Sequence, residues 1–116
     1  MKFKETEKDL QKACNDYLRL VLPPKRGWWE HFQEAPGNIG GRKGIPDLIG
    51  FINTVKGNKK WTAIGFPFAC ELKRKGFKPT ARQQAYMEHL KKCGFIVAWF
   101  DNFEDLKVWI DELLCL

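Results

Sequence analysis

The sequence predicts a single α/β domain in which helices pack against one mixed β-sheet, in the order α-β-β-β-α-β-α. Three observations carry that prediction. The chain has 116 residues, 44% of them hydrophobic, which suits one domain over residues 1–116 whose core needs no disulfide. Apolar residues recur at helical spacing near both ends of the chain. Between them lie short apolar or alternating runs separated by glycine and proline, the punctuation of strands and turns.

Thr6 and Asp9 form a capping-box pattern, and Leu10, Ala13, Cys14, Tyr17, Leu18 and Val21 then keep one helical face until Pro23-Pro24 stops it. Glu7 and Gln11 lie a turn apart beside the start of that stripe, where a carboxylate calls for a reason. Residues 28–35 (WWEHFQEA) read as a strand with aromatic and polar groups on both faces, followed by a glycine-rich basic loop over residues 37–44. Residues 48–52 are a short apolar run suited to a buried strand, and residues 55–60 supply the turn of a hairpin. Residues 61–73 are rich in strand formers, but Gly65 and Pro67 predict a bulge or two short pieces, with the main strand at 68–73. There Phe68, Cys70 and Leu72 face one way and Ala69, Glu71 and Lys73 the other. Thr80 can cap a second helix with Ala85, Met87, Leu90 and Cys93 inward, closed by Gly94. Residues 95–100 are all apolar and read as a strand buried on both faces. Asp101 or Asn102 opens a last helix with Leu106, Trp109, Ile110, Leu113 and Leu114 inside.

Lys plus Arg number 20 against 14 acids, a formal charge of +6, which biases the chain toward polyanionic partners. Cys14, Cys70, Cys93 and Cys115 show no CxxC pair, so they read as ordinary buried thiols rather than a zinc site. No signal peptide or apolar span of membrane length occurs, which places the chain in a reducing, cytoplasmic setting with no membrane partner. His31 and His89 lack metal-ligand spacing and read as packing or surface residues. The glycine-rich loop lacks the Gly-Lys-Ser/Thr ending of a P-loop, so no nucleotide cofactor is expected. Trp28 and Trp29 read as one core and one interface residue, with base stacking as the alternative.

Three features converge on chemistry: Ile45-Pro46-Asp47 at the mouth of one strand, Glu71-Leu72-Lys73 at the end of another, and Glu7 on the first helix. Singly, these are a turn residue, a solvated strand face and an answer to the helix dipole. Together they set two carboxylates and an ammonium near one another, as phosphodiester hydrolysis requires. Magnesium or manganese takes hard oxygen ligands, so one or two carboxylates and a substrate phosphate suffice to hold it. A lysine beside it can orient the attacking water or stabilise developing charge.

On these motifs the chain resembles the PD-(D/E)xK nuclease superfamily and, within it, the short stand-alone VRR-NUC members of phages and bacteria. The matching residues are Thr6-Glu7 with Gln11, Gly44-Ile45-Pro46-Asp47-Leu48, Glu71-Leu72-Lys73 and Thr80-Ala81-Arg82-Gln83, in the family's order along nearly the whole chain. The resemblance implies a restriction-endonuclease-like core and a metal-dependent endodeoxyribonuclease. It implies Asp47 and Glu71 as metal ligands, with the carbonyl of Leu72 and the carboxylate of Glu7 contributing. It also implies Lys73 as the catalytic lysine and Gln83, or its neighbour Gln84, as a supporting glutamine. A homodimer acting on branched DNA such as a four-way (Holliday) junction is the sharper form of this expectation.

Lys25-Arg26, Arg42-Lys43, Arg74-Lys75 and Lys78 lie on loops around these motifs, as a track for DNA phosphates would. Arg42, Lys43, Arg74, Lys75 and Lys78 are the expected nucleic-acid contacts. Two rivals stay open: a DNA-binding module of the same fold without turnover, and a docking protein of a replication or recombination complex that uses its aromatic strand and basic loops.

Overall fold

A computed structural model describes residues 6–32, 44–55 and 64–116. Arg42 and Lys43 lie outside the described residues, as do Trp61, most of the glycine-rich loop, the turn after the second strand and residues 33–35.

Helix α1 (Glu7–Val21) begins at the expected cap: Asp9 N donates to Thr6 Oγ1 (3.1 Å) and Thr6 N to Asp9 Oδ2 (3.0 Å). Leu10, Cys14 and Leu18 repeat every fourth residue and form its buried stripe, which Leu22 continues before Pro23 ends the helix. Strands β1 (Gly27–His31), β2 (Leu48–Val55) and β3 (Ile64–Leu72) form an antiparallel meander. After helix α2 (Ala81–Lys92), β4 (Ile96–Phe100) pairs parallel to β3, giving the sheet order β1-β2-β3-β4. Helix α3 (Phe103–Leu114) starts at Asn102, whose side chain accepts from Asp105 N.

One face of the sheet carries the core. Leu48 and Ile52 of β2 and Phe68, Cys70 and Leu72 of β3 meet Leu10, Cys14 and Leu18 of α1 and Leu106, Ile110 and Leu113 of α3. The Tyr17 hydroxyl donates to Asp111, and Arg26 Nη2 donates to Leu114 O (2.6 Å), tying α3 to α1 and to the entry of β1. Helix α2 covers the opposite face beside β3 and β4, as the contact of Gln83 with Glu71 requires. Among the described residues no helix is long and apolar enough to cross a membrane.

Five expectations are corrected. The third strand is one piece, not two. The irregularity lies across from Gly65 on β2, where the register slips between Asn53 and Val55. Pro67 is tolerated because Lys73 N donates toward β4, so the two-residue repeat turns the Pro67 nitrogen the same way, one residue before the first β3–β4 pair, Phe68–Ile96. The second strand runs on through Val55, which the sequence had placed in the turn. The apolar strand β4 is not buried on both faces: it is an edge of the sheet formed by the described residues, and Trp99 on it is 38% exposed. Helix α2 buries only Met87, leaving Ala85 and Cys93 exposed and Leu90 half-buried. Cys14 and Cys70 are buried thiols, and burial pushes Cys14 up to about 12, whereas Cys93 and Cys115 are exposed. A helix resting on an edge strand has little apolar surface to cover, which leaves Cys93 in solvent.

Candidate active site

Pro46 lies just ahead of β2, whose pairing with β3 begins at Leu48–Cys70, so its missing N–H makes no demand on the ladder. The next residue, Asp47, takes over the pairing with its side chain: Leu72 N donates to Asp47 Oδ2 at 2.7 Å. The carboxylate is thereby held at the end of β2, beside the end of β3. Glu71 precedes Leu72 on the face away from the α1–α3 core and is 2% exposed, the one buried charged side chain among the described residues. Its Oε1 accepts from Gln83 Nε2 (3.2 Å), while Oε2 is buried without a partner.

Gln83 reaches Glu71 because it is also the capping residue of α2. Thr80 N donates to Gln83 Oε1 (2.9 Å) and Gln83 N to Thr80 Oγ1 (3.2 Å), which leaves the amide NH2 turned toward the sheet. Gln84 donates instead to Pro79 O (3.1 Å), so of the two glutamines Gln83 is the one at the carboxylates. Lys73 is anchored by its amide to Phe100 O (2.8 Å), and its ammonium favours the charged forms of both Asp47 and Glu71. Glu7, on the first turn of α1, accepts from Arg74 N with Oε1 (3.2 Å), and its charge is felt at both carboxyls.

The electrostatics follow from this crowding. Burial holds the Asp47 carboxyl above its ordinary value. Glu71 is pushed up to about 9, first by burial and then by the proximity of Asp47, against the pull of Lys73. The pair therefore tends to keep a proton at neutral pH. A buried acid with an orphaned oxygen facing a half-buried one is short of positive charge; a small hard cation is what such a donor set fits. Among the described residues no group of three His, Cys, Asp or Glu side chains is gathered in metal-holding geometry, so the fit rests on this pair with backbone, water and phosphate oxygens.

The structure thus brings Asp47, Glu71, Lys73 and Gln83 together at the ends of β2 and β3, with Glu7 at their margin. The Leu72 side chain lies in the core and its amide is committed to Asp47. Arg74, Lys75 and Lys78 are exposed on the segment that follows. Two neighbours were not singled out from the sequence as site residues. His31, expected as a packing or surface residue, pairs with Leu48 beside Asp47; it is half-buried, stacked edge-on against Trp29, with neither ring nitrogen partnered. Burial holds its imidazole below the ordinary value. Phe77 is 56% exposed, under the guanidinium of Arg74. An aromatic set among cations in a turn (Lys75-Gly76-Phe77-Lys78) is the pattern that would have flagged it.

No family model and no curated protein matches the chain. A solved structure described as a VRR_NUC domain superposes with a TM-score of 0.64 at 20% identity, covering 92% of this chain and 97% of that one. The α-β-β-β-α-β-α order and mixed four-stranded sheet are those of a restriction-endonuclease-like core. At that identity the likeness is one of fold: this chain and the VRR_NUC domain share one α/β plan along nearly their whole lengths.

Proposed function

We propose that this chain is a divalent-metal-dependent endodeoxyribonuclease of the VRR-NUC kind, with Asp47, Glu71 and Lys73 as its catalytic residues and Gln83 supporting them. The observation that carries the reading is the buried Glu71, with an unpartnered oxygen, facing the half-buried Asp47 inside the field of Lys73. The shared fold with a VRR_NUC domain supports it. Asp47 and Glu71 would hold the ion, with the Leu72 carbonyl as a further oxygen donor and Glu7 contributing through a water. Magnesium or manganese, when bound, supplies positive charge for the phosphoryl oxygens and lowers the pKa of a water.

The protein's own groups do the rest. Gln83 pins one oxygen of Glu71 and so leaves the other to the ion. Leu72 N fixes the rotamer of Asp47. The Lys73 ammonium, on a strand end anchored to β4, orients the attacking water and stabilises charge on the phosphate as the bond to the leaving oxygen breaks. Arg74, Lys75 and Lys78, with Arg42 and Lys43, contact DNA phosphates without reading sequence. A homodimer that sets two such centres on branched DNA, Holliday junctions included, is the finer form of the proposal, and a cytoplasmic setting that keeps the four thiols reduced belongs to it.

The test incubates the protein with labelled linear, flapped and four-way DNA, with and without magnesium or manganese, beside Lys73→Ala. Metal-dependent cleavage is expected, with the alanine variant slower by about a thousandfold or more. Absence of product from every substrate under either ion would end the reading. Asp47→Asn is expected to keep the fold, since an amide oxygen can still accept from Leu72 N, yet to weaken manganese binding at least tenfold or so in a calorimetric titration. Unchanged affinity would remove Asp47 from the ligand set.

A further inference from the structure

The chain leaves the catalytic strand through Lys73-Arg74-Lys75-Gly76-Phe77-Lys78, in which one aromatic stands among cations. This turn is tied down at four of its six amides. Lys73 N donates to Phe100 O (2.8 Å), Arg74 N to Glu7 Oε1 (3.2 Å), Gly76 N to Asp101 Oδ2 (3.3 Å) and Phe77 N to Arg74 O (2.9 Å). A segment so well anchored could fold its one large apolar side chain inward, and burying a phenylalanine stabilises by roughly 1.5–3 kcal/mol. Phe77 instead stays 56% exposed, with the Arg74 guanidinium 5.5 Å from its ring centre.

The exposed ring lines a cleft of about 570 Å³ whose other walls are Thr6, Glu7, Lys8 and Arg74. That volume lies in the range of small-ligand sites, roughly 300–1,000 Å³. Two cations and one acid border it, and the acid accepts from the Arg74 amide. The cleft adjoins the catalytic cluster, since Glu7 belongs to its wall and also acts on Asp47 and Glu71. Its lining sets one exposed aromatic ring beside two cations, and it opens to solvent. Those are the elements of a stacking platform for a single-stranded nucleotide, in which any base offers a π-face and the cations meet the phosphates on either side.

We propose that the cleft between the α1 N-terminus and the 73–78 turn binds one unpaired nucleotide of the DNA strand beside the scissile phosphate, its base stacked on Phe77 and its phosphates met by Lys8 and Arg74. This rests on the nuclease reading for what lies next door, and it adds a preference for substrates with an unpaired base at the cut. A fully paired duplex has no base free to enter.

The experiment measures binding in the presence of a chelator, so that no turnover is needed. Wild type, Phe77→Ala and Phe77→Trp are titrated at low salt against labelled oligothymidylate and against a blunt duplex of equal length. A melting curve for each verifies the fold, which an exposed side chain should leave unchanged. Phe77→Ala is expected to weaken oligothymidylate binding about five- to a hundredfold while duplex affinity stays within about twofold, and Phe77→Trp to restore it. In wild type, a 2-aminopurine in the oligomer should be quenched on binding, and the alanine variant should lose that quenching. Equal oligomer affinities for wild type and Phe77→Ala, or equal losses for oligomer and duplex, would overturn the proposal. The Lys73→Ala cleavage assay reports separately on the nuclease reading: cleavage without Phe77-dependent binding sinks the cleft alone, and Phe77-dependent binding without any cleavage sinks the enzyme and leaves the cleft standing.

Discussion

Glu71→Gln is expected to abolish cleavage and, at the same time, to make the metal-free protein more stable at neutral and alkaline pH. The sign follows from the proton. The folded chain holds the Glu71 carboxyl protonated up to about 9, whereas the unfolded chain releases that proton near the ordinary value of 4.5. Below the unfolded value both states are neutral and nothing is lost. As pH rises between the two values the unfolded state is favoured by up to about 1.4 kcal/mol per pH unit, and above the folded value the loss is complete. A glutamine does not ionise, so it removes this slope, and its amide oxygen can still accept from Gln83 Nε2. The gain at pH 8 is expected to be about 2 kcal/mol, less than the full slope because the surroundings relax around the charge. Urea denaturation at pH 5, 7 and 9 checks it: wild type should lose stability across the series and the variant should stay level. Parallel curves would mean that Glu71 is ionised in the fold. Magnesium or manganese should stabilise wild type by mass action and leave the variant nearly unmoved. In this reading the site carries an instability that serves the cation.

The second large effect belongs to the sheet. Gly50 and Phe68 are paired across β2 and β3, and the Phe68 ring, 1% exposed, lies over the glycine. A Cβ on Gly50 would run into the edge of that ring and stand 2.5 Å from the carbonyl oxygen of Trp28 on β1. One obstacle is a core side chain held by α1 and α3, the other is backbone, and neither can step aside cheaply. Gly50→Ala is therefore expected to cost about 3 kcal/mol, an overpacking penalty at the upper end of its usual range. Phe68→Leu alone should also destabilise, by loss of ring contacts. Together the two should cost less than the sum of the singles, because the smaller side chain removes one of the two collisions. Denaturant midpoints of the four proteins give the coupling directly, and strict additivity would mean that the Trp28 carbonyl alone sets the cost.

Much of this architecture was legible without coordinates because it depends on local rules. Helix α1 announces itself through Thr6, Asp9 and the fourfold repeat of Leu10, Cys14 and Leu18; α2 starts at Thr80 and α3 at Asn102 for the same capping reason. The opposed faces of Phe68, Cys70 and Leu72 against Ala69, Glu71 and Lys73 follow from the two-residue repeat, and the core contains the first set. What failed depended on neighbours. Residues 96–100 are apolar enough for a central strand, yet whether a strand is central or at an edge is decided by pairing order, which hydrophobicity does not encode. The bulge expected at Gly65 and Pro67 appears on the partner strand because a register slip can be absorbed by either member of a pair.

The amino-acid order alone determined the α/β class, the succession of its elements and the identity of the acids and the lysine, since capping, periodicity and chemical type are properties of short stretches of chain. Only the tertiary structure decided that Asp47 replaces a backbone partner of Leu72, that Gln83 rather than Gln84 meets Glu71, that His31 borders the site and that Phe77 stands exposed over a basic cleft. These are relations between residues far apart along the chain, and their energies come from desolvation and from charges at close range, quantities that exist once the strands have met.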